Sequence, residues 1–241
     1  MTELLFLKDS YLKKFDAKVV KVQGSIAYLD KTAFYPRGGG QPCDTGELIQ
    51  NGRSNRVLEV FWEEGDVAHR LEQPISDGAE ISGQIDWGLR YAHMRHHTAV
   101  HILSGVIFRD YSAPITGGQI YPDRARVDFD VDEVGDERVR EIESKCNQIV
   151  DEGRAVTARM VPRSVALEMP ELVRTKTGRK LIEQLPQVRL VEIEGFDVQT
   201  DGGTHVVNTR EVGHIKIKGV ENKGKHNKRF ELVLPPSGES V

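Results

Sequence analysis

The chain has 241 residues, 38% of them hydrophobic and 29% charged, and 33 Lys and Arg against 37 Asp and Glu give a formal net charge of −4. That composition suits a globular protein with enough chain for a sizeable core, and excludes a low-complexity or disordered polymer. The negative total excludes a global basic field, so a nucleic-acid partner would have to be met by a local patch, and two cysteines, Cys43 and Cys146, are too few for a disulfide framework and fit a reducing compartment.

The opening MTELLFLKDSYLKK holds one apolar run, cut by Lys8 and Asp9. It is too short and too charged for a signal peptide or membrane span, so a cytoplasmic protein with no membrane partner is expected. Residues 17–30 (AKVVKVQGSIAYLD) alternate loosely and break at Gly24, which predicts a hairpin. FYPRGGGQPCDTG (34–46) is punctuated as a loop. Residues 56–62 and 79–86 add strands, and short strands with frequent turns predict a small barrel.

The character changes near Trp87. In residues 89–108, Leu89, Ala92, Ala99, Ile102, Leu103 and Val106 recur at spacings that suit a helix with one buried face. A second helix follows Asp136, with Val139, Ile142, Cys146 and Ile149 on its apolar side. Strands are expected at 155–161, 188–193, 213–220 and 229–234, and a frayed end at PPSGESV. A domain boundary is placed near residue 87, and no internal repeat is visible.

Four features carry chemistry. His93, His97 and His101 stand four apart and so share a helix face. Two imidazoles at that spacing can bind one metal ion, or can be packed helix histidines; His96 points about a quarter-turn away. In TDGGTHVVNT (200–209), Asp201 and His205 are also acceptable metal ligands, and Gly202 and Gly203 would let the backbone turn tightly; a plain turn reads the same way. Gly38, Gly39 and Gly40 permit close approach of a chain or ligand, and Gln41 beside them offers a donor and an acceptor; a flexible loop is the alternative. Residues 214–230 hold six Lys or Arg against one Glu, which suits phosphates or a solvated hairpin face.

Taken together, AFYPRGGGQPCDTG (33–46), RHHTAVHIL (95–103), ARVDFD (125–130), VRLVEIEGFDVQTDGGTHVVNTREVGHIKI (188–217) and ENKGKHNKRFELVL (221–234) resemble the AlaX family, free-standing relatives of the alanyl-tRNA synthetase editing domain. The FYPRGGGQ segment points to its medium-length form. The resemblance implies an α+β protein, with an N-terminal small β-barrel domain at 1–86 and a two-layer α/β editing domain at 87–241. It implies a hydrolase that acts in trans on alanine tRNA mischarged with serine or glycine, with one Zn2+ ion as cofactor. The family motif is HxxxH followed by CxxxH. His97, His101 and His205 match it, His93 and His96 fall outside it, and Asp201 stands where the family has cysteine. Asp201 is then a fourth ligand or a partner behind the ligands.

The same resemblance assigns Thr116, in PITGGQIY (114–121), to the hydroxyl of serine, because the family keeps a polar pocket residue in that region. Gln41 is assigned to positioning the substrate, Gly38, Gly39 and Gly40 to the acceptor end, and Lys223, Lys225, Lys228 and Arg229 to tRNA phosphates. The alternative function is a module that binds tRNA without hydrolysing the ester. A GGQ triplet also occurs in peptide release factors, but the histidine set has no place there, and HxxxH without the glutamate of HExxH argues against a metallopeptidase of that type.

Overall fold

The computed structural model describes all residues except 133, 170–171, 173–181, 184 and 237–241, so most of the end expected to fray lies outside the described residues. The fold is mixed α+β and rich in sheet, and the chain divides into two compact units, Met1–His93 and Met94–Val241. Among the described residues no helix is long and apolar enough to cross a membrane.

The first unit contains β1 (Glu3–Leu4), β2 (Lys14–Gln23), β3 (Ile26–Leu29), β4 (Lys31–Thr32), β5 (Gly46–Gln50), β6 (Arg53–Glu63), β7 (Asp66–Leu71) and β8 (Glu80–Ile85). Six of these close a barrel in the order β2-β3-β7-β6-β5-β8, with β8 pairing antiparallel to β2. Closure leaves no strand edge exposed, which answers the aggregation hazard of an open sheet. Alternate residues Phe15, Ala17 and Val19 of β2 point inward and pack with Leu48, Val57, Val60, Val67 and Ile81. Gly83 makes room for this core, since a Cβ there would lie 2.4 Å from the Phe15 ring. The hairpin at Gly24 forms as expected between β2 and β3. The sequence reading missed β5 and β7: GELIQ and DVAHRL mix charged and apolar residues too evenly for a period, and pairing with β6 on either side makes them strands.

His69 in β7 is fully buried in the barrel. Its Nε2 lies 2.9 Å from Thr32 Oγ1 and its Nδ1 3.2 Å from the Ala27 carbonyl oxygen. Burial lowers its pKa from 6.5 to about 4, against the opposing pull of the Ala27 hydrogen bond and the Asp66 charge. The unfolded chain therefore takes up this proton first as pH falls. Stability from the neutral ring is complete above about pH 6.5 and is lost on the way down to about pH 4, by about 3 kcal/mol. The stability difference between the wild type and His69→Gln, from urea midpoints, should shift by that amount between pH 7 and pH 4. A constant difference would refute the account.

The second unit takes most of α1 (Trp87–Tyr111) and then β9 (Ile115–Ile120), β10 (Ala125–Phe129), α2 (Asp136–Glu152), β11 (Val156–Pro162), α3 (Arg163–Leu167), β12 (Gln187–Ile193), β13 (Asp197–Thr200), β14 (Lys216–Gly224) and β15 (Asn227–Val233). Two antiparallel sheets result, of order β14-β15-β10-β9 and β11-β12-β13. On α2, Ile142, Cys146 and Ile149 are buried, as their helical spacing predicts.

Three expectations need correction here. One buried face was expected on α1, but residues 94–99 and 101–107 are all buried. Its polar residues also bond inward: the Arg95 guanidinium donates to the carbonyl oxygens of Glu211, Val212 and Pro235. The strand expected at 213–220 starts later, at Lys216, because a 3-10 turn at Thr209–Val212 precedes it. The segment ITGGQI, where no strand is expected, is β9: pairing with β10 overrides the two glycines.

Candidate metal centre

α1 offers His97 and His101 from successive turns of one face, and the loop after β13 brings Asp201 and His205 to them. One ligand atom from each of these four residues lies within 4.8 Å of every other. The rings of His97 and His205 are 4.3 Å apart between centroids, those of His101 and His205 4.6 Å, and those of His97 and His101 5.1 Å. Asp201 Oδ1 lies 3.4 Å from His97 Nε2, and Asp201 Oδ2 lies 3.0 Å from His205 Nε2. All three imidazoles are buried. His93 and His96 are buried too, but neither belongs to the group.

The loop that carries Asp201 and His205 is held from several sides. The Gly203 N–H donates to Asp201 Oδ2 at 2.6 Å. Arg189 of β12 donates to the carbonyl oxygens of Asp201 and Gly203, at 3.1 and 2.9 Å. Behind the group sits Thr98, fully buried, with its Oγ1 3.1 Å from His205 Nδ1 and accepting the Val206 N–H at 3.3 Å. The expected contribution of Gly202 is corrected: its backbone stays out of the left-handed region, and the loop is shaped by these bonds.

Electrostatics prepares the donors. Burial alone would raise Asp201, but the charge of His97 and the hydrogen bonds from His205 and His97 outweigh it and hold the carboxyl well below the usual carboxylate range. Burial, with His97 and His101 close by, pushes His205 well below the ordinary imidazole range, against the pull of Asp201. An ionised carboxylate and a neutral imidazole are the forms that coordinate a metal.

The other predicted residues lie outside this group. Gly38–Gln41 is a tight turn closed by two backbone hydrogen bonds between Gly38 and Gln41, at 3.2 and 2.9 Å. Gly39 and Gly40 take φ of 57° and 81°, which explains the glycines, and Gln41 is fully buried. Thr116 is exposed on β9, its hydroxyl donating to Asn227 Oδ1 at 3.2 Å. In the basic tail, Lys228 is buried, its ammonium donating to the carbonyl oxygens of Gly224 and Lys225 across the β14–β15 turn. Arg229 is engaged by Asp128 at 2.7 and 2.8 Å, and Lys223 by Glu221 at 2.9 Å, while Lys225 is exposed. Thr98 was missed by sequence reading: its proximity to His205 spans 107 positions, and no local spacing reports that.

Residues 188–231 match the family described as the threonyl and alanyl tRNA synthetase second additional domain, and residues 4–89 match the class II (A) tRNA synthetases. The first match includes Asp201 and His205, and the second spans the barrel. The chain is 42% identical over 240 residues to the alanyl-tRNA editing protein AlaX-M of Saccharolobus solfataricus, covering 98% of this chain and 100% of that protein. It is 41% identical over 250 residues to the protein of the same name from Methanosarcina mazei, covering 99% of each. It is also 41% identical over 225 residues to the alanine–tRNA ligase of Pyrococcus abyssi, but this covers 91% of the chain and only 24% of the ligase.

Proposed function

The chain belongs to the AlaX-M family of alanyl-tRNA editing proteins, and we propose that it clears serine, and also glycine, from mischarged alanine tRNA with one metal ion held by His97, His101, His205 and Asp201. It is a deacylating hydrolase. The barrel domain is assigned to residues 1–86 and the editing domain to 87–241.

The observation that carries the metal reading is the four-donor group itself. Around a tetrahedral Zn2+ with bonds of about 2.0–2.1 Å, ligand atoms stand roughly 3.4 Å apart. Asp201 Oδ1 lies 3.4 Å from His97 Nε2 and Asp201 Oδ2 3.0 Å from His205 Nε2, and the four ligand atoms all lie within 4.8 Å of one another, so the donors would draw together to meet an ion. Three imidazole nitrogens and a carboxylate are a recognised Zn2+ donor set, and the departure from cysteine at Asp201 keeps an anionic ligand. When bound with a coordination position left open, such an ion would supply a Lewis acid for an ester carbonyl or a water molecule.

The reaction is hydrolysis. The oxygen of water bonds to the ester carbonyl carbon, the bond from that carbon to the ribose oxygen breaks, and a proton passes to the ribose oxygen. The buried imidazoles limit bulk water at the centre, and ionised Asp201 balances positive charge there. The turn at Gly38, Gly39 and Gly40, with Gln41 beneath it, is assigned to the acceptor end. The test is to follow ester loss from seryl-, glycyl- and alanyl-charged alanine tRNA, with and without a chelator. Expected are loss of the seryl and glycyl esters, survival of the alanyl ester, and recovery by Zn2+ after chelation. A seryl ester that survives metal-loaded protein would make the chain a tRNA-binding module; ester loss that ignores complete metal removal would take the ion out of the reaction.

Thr116 is assigned to the serine hydroxyl, exchanging Asn227 for the substrate. Thr116→Val should slow seryl-tRNA hydrolysis by about 2- to 10-fold and leave glycyl-tRNA hydrolysis unchanged, since Thr116 is exposed and an ordinary hydrogen bond is worth about 0.5–1.5 kcal/mol. Equal effects on both esters would remove Thr116 from specificity. Of the four basic residues assigned to phosphates, Lys223 and Lys225 are exposed, and Lys228 serves the hairpin. Replacing Lys223 and Lys225 with glutamine should weaken tRNA binding and reduce the slope of log affinity against log salt by about 1 per lost phosphate contact. An unchanged slope would make them a solvated face.

A further inference from the structure

Thr98 follows His97 on α1, and its hydroxyl meets the backbone and the ring of the loop that carries His205. Its Oγ1 accepts the Val206 N–H at 3.3 Å and lies 3.1 Å from His205 Nδ1, in a fully buried setting. A hydroxyl has one hydrogen and two acceptor lone pairs. One lone pair is taken by Val206, which leaves a donor and an acceptor for His205.

Both are useful. A neutral imidazole carries one proton. When Nε2 of His205 binds a cation, that proton must sit on Nδ1, and the second lone pair of Thr98 accepts it. When the cation is removed, the Nε2–H can donate to Asp201 Oδ2, 3.0 Å away, and the bare Nδ1 can accept from the Thr98 hydroxyl. A carbonyl or carboxylate behind the histidine, the usual partners of a metal-bound imidazole, could serve only the first case. In both cases each nitrogen of His205 then has a partner, where a buried polar atom left without one costs about 1–3 kcal/mol.

We propose that Thr98 is a positioning residue that keeps His205 Nε2 aimed at the cation site in both the loaded and the unloaded protein, by accepting from Nδ1 in one and donating to it in the other. This rests on the metal reading above and deepens it. The Thr98 hydroxyl touches neither ion nor substrate; it acts through His205, and through Val206 it ties the loop to the same helix that carries His97 and His101.

The experiment measures Zn2+ affinity by competition with a chromophoric chelator for wild type, Thr98→Val and Thr98→Ser, and the His205 tautomer by nitrogen NMR of histidine-labelled full-length protein. Expected are a loss of affinity of about 10- to 100-fold in Thr98→Val, the size typical of a lost outer partner, and an affinity near the wild-type value in Thr98→Ser, which keeps the hydroxyl. In chelator-treated wild type the His205 proton should sit on Nε2, and it should move to Nδ1 when Zn2+ is added. Wild-type affinity in Thr98→Val, or a proton already on Nδ1 before Zn2+ is added, would overturn the proposal while leaving the metal site intact. Absence of Zn2+ binding by the wild type would overturn the metal reading and this inference with it. The tautomer measurement needs no variant, so a misfolded Thr98→Val leaves the inference open to refutation.

Discussion

Replacing His101 with alanine should lower Zn2+ affinity by about two orders of magnitude and abolish deacylation of seryl-tRNA. The binding free energy of a four-ligand zinc site is roughly 10–16 kcal/mol, so each ligand carries about 3 kcal/mol, or about 100-fold. His101 is the cleanest ligand to remove, because it lies inside α1, where alanine is the best helix former. The metal-free variant should therefore keep its helix, and what is compared is the stability each protein gains from Zn2+. At a Zn2+ concentration about 100 times the wild-type Kd, the ion stabilises the wild type by about 2.7 kcal/mol; a variant bound 100-fold more weakly gains only about 0.4 kcal/mol. Thermal melts with and without Zn2+ measure this. A variant that Zn2+ stabilises as much as the wild type would show that His101 is no ligand.

That prediction was within reach of the sequence because four-residue spacing on a helix is one turn, and a turn is a local fact. His97 and His101 needed no tertiary knowledge to share a face. Asp201 and His205 were ambiguous, since the same TDGGTH string makes an ordinary turn; their meaning depends on where β13 delivers them, a hundred residues from the helix. The barrel was legible as short alternating strands such as β2, but β5 and β7 were not, because their pairing partners and not their own pattern make them strands. The partners of the polar residues of α1 were not legible for a related reason. Arg95 and Thr98 look like a solvated face until the distant carbonyl oxygens of Glu211, Val212 and Pro235 and the ring of His205 are seen to be their partners. Lys228 is the same lesson in the tail: charge in a sequence does not say which way the side chain turns.

Arg90 carries that lesson furthest and yields the largest expected loss of stability. It lies in the first turn of α1, where a charged residue would be read as wet, yet both it and Asp44 are fully buried. The guanidinium grips the Asp44 carboxylate through Nε and Nη2, Nε lying 2.9 Å from each oxygen, and donates to the carbonyl oxygens of Ser10 at 2.9 Å and Ala33 at 2.5 Å. Asp44 in turn accepts the Tyr35 N–H at 2.6 Å and donates its own N–H to the Tyr35 carbonyl oxygen at 3.0 Å. These bonds clasp the two ends of the segment that contains Gly38–Gln41. Asp44→Ala leaves a guanidinium buried without its counter-charge and should cost about 3–5 kcal/mol, a large part of a typical total of 5–15 kcal/mol. Arg90→Met should cost a similar amount, and the double replacement much less than the sum, because the penalty lies in the orphaned charge. Urea unfolding of the three variants completes the cycle. Asp44→Ala should also speed amide exchange at Gly38 and Gln41, whose turn then loses its clasp. Additive costs in the double variant would mean that the two residues stabilise the barrel separately, and unchanged exchange at the turn would mean that the glycine segment holds its shape without them.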